Sequence, residues 1–101
     1  MQIRENNSTS ILPAYALYWS DNKRHYLFLP YEGYEGLQVI TEDSCELISD
    51  DLTNFEILRT ENGEDIILHK AMQKSVLLDR LTDYDAEAMA EFLKNLNSYI
   101  K

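Results

Sequence analysis

The last twenty residues, "TDYDAEAMAEFLKNLNSYIK", repeat apolar side chains at steps of three and four, the spacing of an amphipathic helix. Five positions carry this stripe, and two aromatic residues widen it: Ala86, Met89, Leu93, Leu96 and Ile100, with Phe92 and Tyr99. Thr82 and Asp83 are good N-caps, while Asp85 and Glu87 suit the positive end of the helix dipole. A helix with one apolar face has to close over another layer, and we expect that layer to be a sheet.

Apolar, aromatic and β-branched segments precede the helix, and they predict strands. They are Ala14–Ser20, His25–Leu29, Leu37–Thr41, Phe55–Thr60 and Asp65–Lys70. The turn residues "DNK" (21–23) join the first two into a predicted hairpin. Asn62-Gly63 gives the strongest hairpin signal, because both residues tolerate the positive φ of a type I′ turn.

Three segments are less determined. Residues 1–10 are polar and predict a loose arm or a late-ordering edge. Within 42–54, "CELIS" is compatible with a short strand and "SDDLTN" with a turn or one helical turn, and 71–81 is a helix or a strand, with propensity favouring the helix. Strands followed by a helix predict one α+β domain over 1–101, with about five antiparallel strands in hairpins covered by the C-terminal helix.

Charge is segregated along the chain. Residues 32–65 hold eleven acids and one base, a net charge of −10, whereas the remaining residues hold seven acids and eight bases, a net charge of +1. Such a field repels nucleic acid and acidic membranes and accelerates encounter with a basic partner. We therefore expect a basic protein partner, with no direct binding to nucleic acid or membrane.

The lone cysteine, Cys45, excludes an internal disulfide, and the first ten residues lack the apolar region of a signal peptide. Both features favour a cytoplasmic protein. His25, His69 and Cys45 lack metal-ligand spacing, and no nucleophile or phosphate-binding motif is present. We therefore predict no enzyme activity, no metal and no cofactor.

The stretch "YEGYEG" (31–36) repeats one Tyr-Glu-Gly unit directly after Pro30. Two interpretations stay open: a connection whose tyrosines fold back onto the core, or an exposed pair of aromatics beside carboxylates that grips a basic surface. The segregated charge favours the second interpretation. Self-repulsion among clustered acids destabilises a small domain, so a domain that tolerates such a cluster is expected to use it.

With "YEGYEG", the acids of 42–65 and its small size, the chain resembles the small acidic immunity proteins that accompany bacterial toxins, including those of contact-dependent growth inhibition. The resemblance implies a single cytosolic domain without catalytic motifs, which neutralises a basic nuclease toxin by covering its active site or substrate groove. Carboxylates would then occupy the positions of phosphates. The expected partner-binding residues are Tyr31, Glu32, Tyr34, Glu35, Glu42, Asp43, Asp50, Asp51, Glu61, Glu64 and Asp65.

Two other classes fit the same composition. A DNA mimic that inhibits restriction or CRISPR complexes would space its carboxylates like phosphates along a long face. An acidic secretion chaperone would dimerise and present an apolar groove.

Overall fold

A computed structural model describes residues 1–59, 63–74 and 76–99, and it confirms the α+β fold. In these residues seven strands form one antiparallel sheet, and the C-terminal segment forms a helix. The strands are β1 (Gln2–Glu5), β2 (Leu12–Ser20), β3 (Lys23–Phe28), β4 (Gln38–Thr41), β5 (Cys45–Ser49), β6 (Phe55–Arg59) and β7 (Asp65–His69). The α-helices are α1 (Leu78–Thr82) and α2 (Ala86–Asn97), and short 3-10 turns occupy Glu42–Ser44 and Lys70–Met72.

The sheet forks along β2. One edge of β2 pairs with β3, which pairs in turn with β4. The other edge is divided between two strands, since Leu12 lies opposite Ile3 of β1 and Leu17 lies opposite Ile67 of β7. β1 pairs in turn with β5, and β7 pairs with β6. The order β4-β3-β2-β1-β5 therefore carries a side branch of β7 and β6.

Side chains of the sheet supply two cores, one on each face. Neighbouring residues of a strand point to opposite faces, and Leu27 and Tyr26 of β3 accordingly belong to different clusters. Leu27 packs with Leu81 and Phe92 of the two helices. Tyr26 packs with Ile3 of β1 on the other face. The predicted helix layer is confirmed, and the β1–β5 branch covers part of the opposite face.

Both predicted hairpins are confirmed. Asp21 and Asn22 have φ values of 53° and 63° between the paired residues Ser20 and Lys23, as a two-residue type I′ turn requires. The β6–β7 pairing extends to its last register pair, Arg59 and Asp65. In the connection between these two strands Gly63 has a φ of 80°, and Asn62 lies outside the described residues.

The N-terminal segment contradicts the prediction of a loose arm. Gln2–Glu5 form a strand between β2 and β5, and the Ile3 side chain is fully buried. The polar residues around Ile3 mask this strand in the sequence. The segment 42–54 does contain the short strand, β5, and 71–81 is helical at its end, where α1 begins at Leu78.

The C-terminal helix starts later than predicted and buries a rotated face. Asp85, rather than Thr82 or Asp83, is the N-cap, because its carboxylate accepts the backbone N–H groups of Glu87 and Ala88. The buried residues are Ala88, Met89, Phe92 and Leu96, whereas the predicted stripe members Ala86 and Leu93 are exposed. Ala88 is fully buried in the core cluster that the helices share with the sheet. Ile100 lies outside the described residues.

None of the helices in the described ranges is long and apolar enough to cross a membrane.

Candidate functional site: the acidic Trp19 face

The segment "YEGYEG", residues 31–36, forms a loop closed by edge-to-face contacts between aromatic rings. Tyr34 contacts Tyr31 and Tyr84 edge to face, with ring centroids 5.2 and 5.7 Å apart. The Tyr34 hydroxyl also accepts a hydrogen bond from the Gln38 amide at 3.0 Å. Tyr34 is half-buried, whereas Tyr31 is 62% exposed. We call residues 31–36 the tyrosine loop. Tyr34 anchors this loop, and Tyr31 is available to a partner.

Gly36 fixes the loop to the start of the α1–α2 connection. The Leu37 N–H donates to the Leu81 carbonyl at 3.1 Å. A Cβ on Gly36 would lie 2.8 Å from that same carbonyl oxygen and 2.6 Å from the Tyr84 ring. The second glycine of the repeat thus serves close packing, whereas Gly33 has a positive φ of 93° in open space. Glu32 and Glu35 on either side of Gly33 are exposed.

Among the described residues of the 32–65 window, four acids are paired with bases, and three of these bases lie outside the window. Arg4 of β1 binds Glu46 of β5, and Lys23 of β3 binds Asp43 of the 3-10 turn that precedes β5. Arg24 binds Glu42 through its backbone N–H at 2.8 Å and through its guanidinium at 3.4 Å, and Arg59 Nε lies 3.2 Å from an Asp65 carboxylate oxygen. β1 and β3 thus place basic side chains beside the acidic segment, an arrangement that counting charges along the sequence does not reveal.

The eleven predicted residues do not form one continuous surface. Tyr31, Glu32, Tyr34 and Glu35 follow the end of β3, whereas Glu42 and Asp43 lie beside its beginning, about 20 Å away along a six-residue strand. Glu64 and Asp65 precede β7, and Glu61 lies outside the described residues. Asp50 and Asp51 follow β5, where the Asp51 carboxylate accepts the N–H and hydroxyl of Thr53. These bonds lower the pKa of Asp51.

Two of the predicted acids, Glu64 and Asp65, line a cleft of about 360 Å³ beside an exposed tryptophan. Trp19 is the only tryptophan of the chain, and 42% of it is exposed. Asp21 of the β2–β3 turn completes the acidic rim. The sequence assigned Trp19 to the strand predicted over Ala14–Ser20, and only its position near the end of that strand indicates exposure.

A second apolar side chain extends this surface. Ile57 of β6 lies opposite Ile67, which lies opposite Leu17, so the three share one face of the sheet. Trp19 is two residues beyond Leu17 and therefore points to that same face. Ile57 is 69% exposed, the largest exposure among the big apolar side chains of the described residues. We call Trp19, Asp21, Ile57, Glu64 and Asp65 the Trp19 face.

His69 occupies a different cleft, of about 280 Å³, where the sheet forks. Its ring meets Tyr15, Phe55 and Tyr99 edge to face, and its Nδ1 accepts the Ala71 N–H at 3.0 Å. Burial lowers the pKa of His69, with smaller contributions from nearby positive charges. The imidazole is therefore neutral at physiological pH and caps the 3-10 turn that follows it.

Cys45 is half-buried, and burial raises the pKa of its thiol despite the opposing effect of Arg24. A protonated thiol is a poor nucleophile at neutral pH. In residues 1–59, 63–74 and 76–99, no three His, Cys, Asp or Glu side chains converge where they could hold a metal ion.

Comparisons of the chain with protein-family models, with curated proteins and with solved structures found no match.

Proposed function

We propose that the chain is a non-catalytic cytoplasmic protein that neutralises a basic protein partner through the Trp19 face, acting as an immunity protein against a nuclease toxin. The observation that carries the proposal is the exposed Trp19 beside the carboxylates of Asp21, Glu64 and Asp65. Tryptophan is enriched among the residues that dominate binding energy at protein interfaces.

The chemistry of this surface matches Arg and Lys side chains. The face of an indole attracts a guanidinium or ammonium group, an interaction worth about 2 kcal/mol or more when it is desolvated. The neighbouring carboxylates accept charge-assisted hydrogen bonds from the same cation. A nuclease presents such cations to the phosphates of its substrate, so the Trp19 face would occupy the substrate's place. The net charge of −9 increases the rate of encounter.

Local complementarity fits this surface better than mimicry of a DNA strand does. A mimic needs a long row of free carboxylates at phosphate spacing, but Glu42, Asp43 and Asp65 are held by bases of the chain itself. Arg59, bonded to Asp65, also lies beside the Trp19 face. A partner cation would compete with Arg59 for this carboxylate, which favours a guanidinium that can bond more than one oxygen.

Capture from lysate of the source organism tests the proposal. The immobilised chain is loaded at low salt, eluted with a NaCl step, and compared with Trp19→Ala and Asp21→Asn. Asn keeps the left-handed turn conformation at position 21 while it removes the charge. We expect one basic protein in the wild-type eluate, inhibition of its nuclease activity by the chain, and loss of capture by both variants.

A matched variant at the far end of β3, Glu35→Gln, removes one charge from the tyrosine loop. Its capture should equal that of the wild-type chain, apart from a small loss of electrostatic steering. If Glu35→Gln abolishes capture and Trp19→Ala does not, the tyrosine loop is the binding surface instead. Recovery of a restriction or CRISPR complex would replace the immunity function by the mimic.

A further inference from the structure

The side branch of the sheet ends in a strand with one open edge. β6 pairs with β7 alone, and no strand of the described residues pairs with its other side. Such an edge presents unpaired backbone groups that can accept an additional strand. Among the described residues the edge strands are β4, β5 and β6, and of their large apolar side chains Ile57 of β6 is the most exposed, at 69% compared with 48% for Val39.

Backbone hydrogen bonds show which residues of β6 face outwards. The Lys70 N–H donates to the Asn54 carbonyl at 2.8 Å, so Asn54 points towards β7. Backbone groups alternate along an antiparallel strand, and Ile57 therefore points away from β7. The Phe55 N–H agrees with this alternation, because it bonds the Leu52 carbonyl outside the ladder. None of the turn, loop or side-chain hydrogen bonds in the described ranges involves the Ile57 backbone.

The surroundings of this edge favour one chemistry for an added strand. Ile57 offers an apolar contact on the Trp19 face, while the adjacent Glu56 points to the opposite face of the sheet. Alternating apolar and basic side chains would match both faces at once. A second copy of the chain is disfavoured, since each copy carries a net charge of −9.

We propose that an extended basic segment of the partner adds to β6 as a new strand. Its central residue exchanges both backbone hydrogen bonds with Ile57 and packs an apolar side chain on Ile57, and its neighbouring Lys or Arg pairs with Glu56. This inference rests on the proposed function, because it specifies how the basic partner engages the surface beside Trp19.

A short peptide that alternates lysine with valine is the probe. We expect its addition to ¹⁵N-labelled chain to slow hydrogen exchange of the Ile57 amide by about tenfold, with much smaller changes at Val39 on the β4 edge. A peptide of the same length and charge in which prolines replace the valines should not bind, because it lacks the N–H groups that would pair with Ile57.

Two variants separate backbone pairing from charge. Ile57→Pro removes the outward N–H and leaves the β6–β7 ladder intact, and Ile57→Lys keeps the backbone but repels the lysines of the probe. Each should weaken peptide binding by about tenfold, whereas the matched variant Val39→Lys should not. Circular dichroism and urea unfolding verify that each variant is folded.

Three results would overturn strand addition. One is equal binding of the peptide to both Ile57 variants and to the wild-type chain. Another is a dimer of the free chain that Ile57→Lys dissociates, since a second copy would then occupy the edge. The third is capture of a basic protein that Trp19→Ala abolishes and Ile57→Pro leaves unchanged, which refutes strand addition and leaves the proposed function standing. If the chain binds neither the peptide nor any basic protein, both proposals fail.

Discussion

Gly36 approaches the α1–α2 connection so closely that an alanine side chain has no space there. The added Cβ would lie 2.6 Å from the Tyr84 ring and 2.8 Å from the Leu81 carbonyl oxygen. Tyr84 is half-exposed and can swing away. The carbonyl cannot, because it belongs to the backbone of α1 and accepts the Leu37 N–H.

We predict that Gly36→Ala destabilises the fold by about 2 kcal/mol, the middle of the range for overpacking a tight contact. With a typical denaturant dependence of about 2 kcal/mol per M, the midpoint of urea unfolding falls by about 1 M. The Tyr84→Ala background removes only the ring, so Gly36→Ala should still destabilise that variant. In either background, a midpoint within about 0.2 M of that of the parent chain with Gly36 would refute the close contact, since so small a change is what a surface substitution produces.

Three further predictions concern charge and capping. Asp85→Ala removes the N-cap of α2 and the bond from Arg80, so it lowers the urea midpoint, while Asp83→Ala, whose carboxylate caps nothing among the described residues, leaves it unchanged. The pKa of Asp85 is lowered, mainly by Arg80, so the difference between the two variants should begin to shrink near pH 4 and be lost as the pH falls through the lower folded-state pKa. Burial lowers the pKa of His69 in the folded chain, so the free energy of unfolding is highest above about pH 6.5 and declines as the pH falls from there towards the lowered pKa. His69→Gln should therefore flatten the pH dependence of the urea midpoint between pH 7 and 5. An unchanged pH dependence would contradict the burial of this imidazole. Because four acids of the 32–65 window are paired, added NaCl should shift the thermal midpoint by only about 2 °C, whereas a large increase would indicate crowded, unpaired acids.

Local signals in the sequence predicted the elements that depend on local chemistry. The β2–β3 turn uses Asp21 and Asn22 because both tolerate positive φ, and this preference is visible without any tertiary contact. The C-terminal helix follows from its period, although the choice of Asp85 as N-cap depends on where α1 ends. Ala86 and Leu93 are exposed because the sheet, which the helical period alone cannot locate, contacts the neighbouring face.

Non-local pairing explains the features that sequence reasoning missed. β1 is polar apart from Ile3 and becomes a strand because both β2 and β5 hydrogen-bond to it. The fork along β2 leaves part of one sheet face uncovered, which exposes Trp19 and Ile57. Of the predicted partner-binding residues, Glu64 and Asp65 lie on this Trp19 face. The tyrosine loop lies at the end of β3 that is remote from the Trp19 face. This separation follows from the antiparallel pairing of the strands and is not apparent from the positions of the residues along the sequence.

The indole N–H signal of Trp19 gives the most direct test of the Trp19 face, because the chain has one tryptophan and therefore one such signal. The ¹⁵N-labelled chain is titrated with the basic protein recovered by capture, first at low salt and then at high salt. We predict that the Trp19 signal shifts at low salt and returns towards its free position when NaCl weakens the complex. A complex that leaves the Trp19 signal unmoved while the amides of the tyrosine loop shift would contradict the account.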